Sequence, residues 1–137
     1  MKVLFIEDEA DAREISLRLI EESERVFQGE VQIIPADTLA VAEALVKTEI
    51  FDAAFLDLGL PDSHRNATMS SIPDFRHRWK IPIFILTGSE EIEIRDRCLM
   101  MGADEFTTKK KLISSCGCIL ERLYNMIVKY RRDAALK

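Results

Sequence analysis

The run Ala53-Ala54-Phe55-Leu56 constrains this chain more than any other stretch, because it is apolar at every position and stops on a carboxylate, Asp57. A strand with one wet face alternates; a strand apolar throughout is covered on both sides, as in a parallel sheet flanked by helices. Gly59 and Pro61 then turn the chain. Asp57 is thereby predicted at the carboxyl end of a strand, where open parallel sheets place their ligand sites. Alone, an acid at that position need only end a strand.

Two further runs share this character, and a third carries one polar residue, Gln32. Val3-Leu4-Phe5-Ile6 stops at Glu7-Asp8-Glu9, Val31-Gln32-Ile33-Ile34 is closed by Pro35, and Ile83-Phe84-Ile85-Leu86 delivers Thr87. The stretch 104–108 is shorter and more polar, which suits an edge strand. Helical spacing fills the intervals. Ala12, Ile15, Ser16 and Leu19 share one face, and Leu39, Ala42, Leu45 and Val46 share another behind a cap at Asp37 or Thr38. Ser89 is placed to cap a helix with Glu90 and Glu91 in its first turn and Gly102 at its end. Leu112, Cys116, Ile119, Leu123, Met126 and Tyr130 describe one long amphipathic helix, with a charged end at 131–137 that is expected to fray. Pro73 interrupts the third crossover, so a turn before a helix starting at Pro73, or a kinked helix, is expected there.

Five strands each followed by a helix predict an α/β fold, a (βα)5 three-layer sandwich with right-handed crossovers. The flavodoxin-like parallel order 2-1-3-4-5 makes the first and third strands neighbours at the switch point. A length of 137 residues and 47% hydrophobic content suffice for one cored domain, taken as residues 1–130 with 131–137 as the charged end of its last helix. The net charge of −5 argues against a nucleic-acid-binding surface. Three cysteines without a long-range framework suit a reducing compartment, and Cys116 and Cys118 point to different helix faces. No run approaches the roughly 20 apolar residues of a membrane span, so a cytosolic protein is expected.

In that strand order Glu7, Asp8 and Asp57 meet in one crevice. Adjacent carboxylates repel, and they are tolerated by raising a pKa or by binding a cation. Oxygen-only ligands completed by water suit magnesium better than zinc, and the backbone carbonyl of Gly59 is an available further ligand. Magnesium favours phosphate oxygens. A carboxylate attacking phosphorus needs the transferring oxygens neutralised, which a metal and an ammonium on opposite sides would do. Thr87 supplies a hydroxyl and Lys109, first of three lysines, an ammonium.

The chain resembles the receiver domain of the two-component response-regulator family over essentially its whole length. The matching residues are Glu7-Asp8-Glu9, Leu56-Asp57-Leu58-Gly59-Leu60-Pro61-Asp62, Leu86-Thr87-Gly88, and Gly102-Ala103-Asp104-Glu105-Phe106-Thr107-Thr108-Lys109. The resemblance implies that Asp57 accepts a phosphoryl group from a phosphohistidine, carried by a sensor histidine kinase or a histidine phosphotransfer protein. Glu7, Asp8, Asp57 and the Gly59 carbonyl would hold Mg2+, Lys109 would contact the acyl phosphate, and Thr87 and Phe106 would move as a switch. A receiver acts on itself, is not a turnover enzyme on other substrates, and signals through a downstream protein or a fused output module. The long last helix offers a dimerisation surface. Two departures stand out: Lys110 follows the lysine where the family usually has proline, and Ser63-His64-Arg65-Asn66 replaces a glycine often found before the third helix. The alternatives are a receiver-like interaction module that is never phosphorylated and, more remotely, a magnesium-dependent phosphatase with an aspartate nucleophile.

Overall fold

A computed structural model describes residues 1–7, 14–15, 18–19, 21–25, 31–59, 65–88 and 91–135. The strands are β1 (Lys2–Ile6), β2 (Gln32–Ala36), β3 (Ala53–Asp57), β4 (Ile83–Thr87) and β5 (Glu105–Thr108). They form one parallel sheet in the order β2-β1-β3-β4-β5, as expected. The register sets Ile6 beside Leu56 and Asp57 beside Leu86, so β1, β3 and β4 end together.

The doubly apolar runs are buried because helices cover both faces. On one face Val3, Phe5, Ala53, Phe55, Phe84 and Leu86 meet Ile15 and Leu19, helical residues labelled α1, and residues of the last helices. Phe55 lies between Phe5 and Phe84, with ring centroids 6.1 and 5.5 Å away. Leu4, Ile6, Ala54, Leu56, Ile83 and Ile85 point to the other face, beneath α2 (Leu39–Thr48), α3 (Arg65–Ser70), a π-helix (Asp74–Arg78) and α4 (Ile92–Met100). Side chains alternate across a strand, so each run fills two cores.

Four local outcomes refine the sequence reading. Pro35 does not close β2 but lies within it, opposite Phe5. The Gln32 amide donates to Met1, so by alternation the position of Pro35 faces the open edge, where a missing N–H costs no ladder bond. Thr38 caps α2, its Oγ1 accepting from the Val41 amide at 3.1 Å. Glu91 is the cap residue of α4 and makes no side-chain cap bond, while Ser89 and Glu90 lie outside the described residues. The third crossover breaks at Ser71 and resumes through Pro73, the residue before the π-helix, whose wide turn is closed by the Trp79 amide donating to Asp74 at 2.9 Å.

The last helix is two helices. α5 (Lys109–Ser114) ends at Ser115, and α6 (Cys116–Ala135) follows. Ser115 leaves helical dihedrals at φ −127° and ψ 34°, yet Leu112, Cys116 and Ile119 on either side all stay buried. Cys116 is buried and Cys118 exposed, as their spacing requires. Of the charged end 131–137, residues 131–135 are helical as the end of α6, with Arg131 bonded to Asp52 ahead of β3, and 136–137 lie outside the described residues.

Candidate functional site

Asp57 ends β3 with 3% of its surface exposed, and Glu7 follows β1 with 4% exposed. Neither strand would tolerate a buried acid without partners. Here Lys109, the first residue of α5, donates to Glu7 Oε1 at 2.7 Å and to Asp57 Oδ2 at 3.3 Å. The Gly59 amide donates to Asp57 Oδ1 at 3.0 Å, so both Asp57 oxygens are held. Lys109, rather than Lys110 or Lys111, is therefore the lysine of the site. Thr108 caps α5 by accepting from the Lys111 amide at 3.1 Å, which places Lys110 in the first helical turn. That turn's amides have no intrahelical partner, so proline fits there but is not required.

Burial pushes Glu7 up to about 7; Lys109 opposes the rise and the negative Asp57 adds to it. Burial acts against a charged Lys109, but the carboxylates of Glu7 and Asp57 outweigh it and raise its pKa. Glu7 Oε2 is buried without a hydrogen-bond partner among the described residues. An orphaned carboxylate oxygen beside a second carboxylate is an oxygen-only donor set of the kind a hard divalent cation takes. Asp8, the expected third acid, lies outside the described residues, and among those described no three His, Cys, Asp or Glu side chains gather to hold a metal.

Thr87 ends β4 and is buried, opposite Thr108. Phe106 pairs with Ile85 in the core on the α4 side, so alternation puts Thr87 and Phe106 on the same face of the sheet. Charges beyond this site that the sequence reading did not connect also meet. Asp104, just before β5, accepts from the Ile83 amide at 2.8 Å and from Arg76 at 2.7 Å, and Tyr130 of α6 donates to it at 3.1 Å. Arg76 also bonds Tyr130 and lies over its ring. Burial and the negative Asp104 push Tyr130 up to about 12, so it remains a donor. In the sequence Asp104 opens the stretch 104–108 expected as the fifth strand, which begins at Glu105, and no local pattern links it to Arg76 or Tyr130.

The family model of the response regulator receiver domain matches residues 3–114. The chain belongs to that family. This receiver is 36% identical over 127 aligned residues to the cell cycle response regulator CtrA of Brucella ovis, covering 89% of this chain and 51% of the relative. It thus spans about half the length of the curated relatives it matches. Among solved structures, a CheY-like receiver domain protein from Methanospirillum hungatei superposes with a TM-score of 0.73 at 20% identity, covering 96% of this chain and 97% of that one. The non-phosphorylated HemR receiver domain of Leptospira biflexa gives 0.67 at 28% identity, covering 92% and 93%. A response regulator of Burkholderia pseudomallei, with a phosphorylated aspartic acid, calcium ion and citrate, gives 0.68 at 23% identity, covering 98% of this receiver and 73% of that chain.

Proposed function

We infer that Asp57 accepts a phosphoryl group from a phosphohistidine and that the resulting acyl phosphate alters the face made by α4, β5 and α6. The observation that carries this reading is the Lys109 ammonium set between Asp57 and Glu7 at the strand ends. An Asp57 oxygen forms a bond to phosphorus as the P–N bond to the imidazole breaks, and the electron pair leaves on that nitrogen, which takes up a proton. Water attack on phosphorus later releases inorganic phosphate and returns the carboxylate, so the receiver acts on itself and not on a separate substrate. The Gly59 amide orients the carboxylate, and Lys109 balances the incoming charge.

Glu7, Asp8, Asp57 and the Gly59 carbonyl would hold Mg2+, which when bound supplies positive charge to the phosphoryl oxygens. The orphaned Glu7 Oε2 supports that assignment, as does the calcium ion described for the Burkholderia structure. For the switch, the Thr87 hydroxyl turns toward the new oxygens and Phe106 follows it into the space vacated. Ile92 and Met100 of α4, 70% and 87% exposed, support a partner surface there. Beside it a cleft of about 360 Å3 is lined by Arg95, Phe106, Lys111 and Arg122. A tenfold preference of a partner for one state needs only about 1.4 kcal/mol.

The donor is a sensor histidine kinase or a histidine phosphotransfer protein. The signal passes to a fused output module, in keeping with the greater length of the curated relatives, or to a separate target protein. Tyr124 and Val128, outward on α6, suit contact with a second copy. Among the described residues no helix is long and apolar enough to cross a membrane, in keeping with a cytosolic protein.

Acetyl phosphate with Mg2+ tests the reading. The parent chain should take up close to one phosphoryl group, Asp57→Asn should take up none, and Thr87→Ala should be labelled while its α4 and β5 amide signals stay near their unphosphorylated positions. Undiminished labelling of Asp57→Asn would remove Asp57 as the acceptor. A parent chain that takes up no phosphoryl group would leave a binding module that works without phosphorylation.

A further inference from the structure

At the opposite end of the sheet from Asp57, the π-helix with the residues just after it and the end of α6 enclose a cleft of about 430 Å3, within the size range of small-molecule sites. Arg76, His77 and Lys80 line one side, and Lys129, Tyr130 and Asp133 the other. In a chain of net charge −5 this is a local concentration of cations. Arg76 is fixed in place by Asp104 and Tyr130, using one of its nitrogens and leaving further N–H donors. The side chains of Lys80, Lys129 and His77 make no hydrogen bond or ion pair with another described residue.

Lys80 carries a second signal. Its φ is +54°, and it is the one non-glycine residue in the left-handed region among those described. It follows Trp79, the residue that closes the π-helix, where chains usually place glycine because a Cβ is strained there. Retaining lysine at a backbone position that favours glycine is understandable if its ammonium is used.

We propose that this cleft binds a small phosphate-bearing anion, held by the ammonium groups of Lys80 and Lys129 and by the free N–H donors of Arg76, and that the bound anion ties α6 to the π-helix. A phosphate group has the charge and acceptor oxygens to take both lysines and the fork of an arginine. Asp133, and Asp104 through its pairing with Arg76, are the opposing charges at this site, so they weaken binding and favour a compact, highly charged ligand.

The test is a titration of the full, metal-free chain with inorganic pyrophosphate at constant ionic strength, followed by amide NMR. Saturable shifts are expected at residues 76–80 and 129–134, with a rise in melting temperature as the ligand binds the folded state. Replacing Lys80 and Lys129 together by alanine should weaken binding by at least about tenfold, the effect of losing two charge-assisted bonds. Asp133→Asn should tighten it. Lys80→Gly should raise the melting temperature of the free chain while weakening binding, a combination that a purely structural lysine would not produce. Shifts that fail to saturate, that centre on Lys109–Lys111, or that persist undiminished in the double variant would overturn the proposal, as would Lys80→Gly binding as tightly as the parent.

Discussion

Glu7 is the residue whose environment most directly exposes the working of the site. One oxygen accepts from Lys109 and the other is buried without a partner among the described residues. Its folded pKa, about 7, stands above the ordinary 4.5, so the folded chain holds an extra proton between those values. The stability linked to that proton is present in full below about pH 4.5 and is lost as pH rises through 7. Glu7→Gln, which mimics the protonated acid, should therefore stabilise the metal-free chain at pH 8 by up to about 3 kcal/mol and change it little near pH 4.5. Urea unfolding at the two pH values checks this; an equal effect at both would contradict it. The placement of Asp57 and Thr87 at the ends of β3 and β4 was legible from the apolar runs that precede them. The orphaned oxygen was not, because burial arises only when β1, β3 and α5 close over the same space.

Gly102 shows how a single element is stopped and why the stop matters to its neighbours. The Gly102 amide donates to Leu99 at 3.1 Å and the Ala103 amide to Cys98 at 3.0 Å, which ends α4 in a Schellman turn with Gly102 at φ +115°. A Cβ there would lie 3.1 Å from Cγ of Arg76 as well as straining the backbone. Gly102→Ala should cost about 1–2 kcal/mol, measured by thermal or urea unfolding. A neutral result would mean that Arg76 moves aside freely. This stop was evident from the residue type, since left-handed dihedrals favour glycine whatever the surroundings. The break between α5 and α6 was not evident. The apolar spacing from Leu112 to Tyr130 continues across Ser115, so periodicity alone describes one helix. Ser115 closes α5 with its amide on Lys111, and its carbonyl accepts from Ile119 to start α6.

On the scale of the whole molecule, the end of α6 is fastened to the sheet's amino edge by two acids. Asp104 holds Arg76, Tyr130 and the Ile83 amide, and Asp52 holds Arg131 and, at 2.8 Å, the Lys2 amide. Ending the chain after Lys129 should lower stability by about 2 kcal/mol, because Asp104 stays buried with fewer donors, and should raise hydrogen exchange of the Ile83 amide. Unchanged exchange there would show that Tyr130 contributes nothing to the fastening. The sequence alone determined the alternation of strands and helices, the parallel sheet and the acid at the end of the third strand. Each depends on local rules: a doubly apolar run demands two covered faces, and a strand that stops on a polar residue presents it at an edge. Only the tertiary structure decided which of the three lysines reaches Asp57, where the last helix breaks, and that Arg76, Asp104 and Tyr130 meet. Those outcomes depend on distances between segments far apart along the chain, and no local pattern encodes such distances.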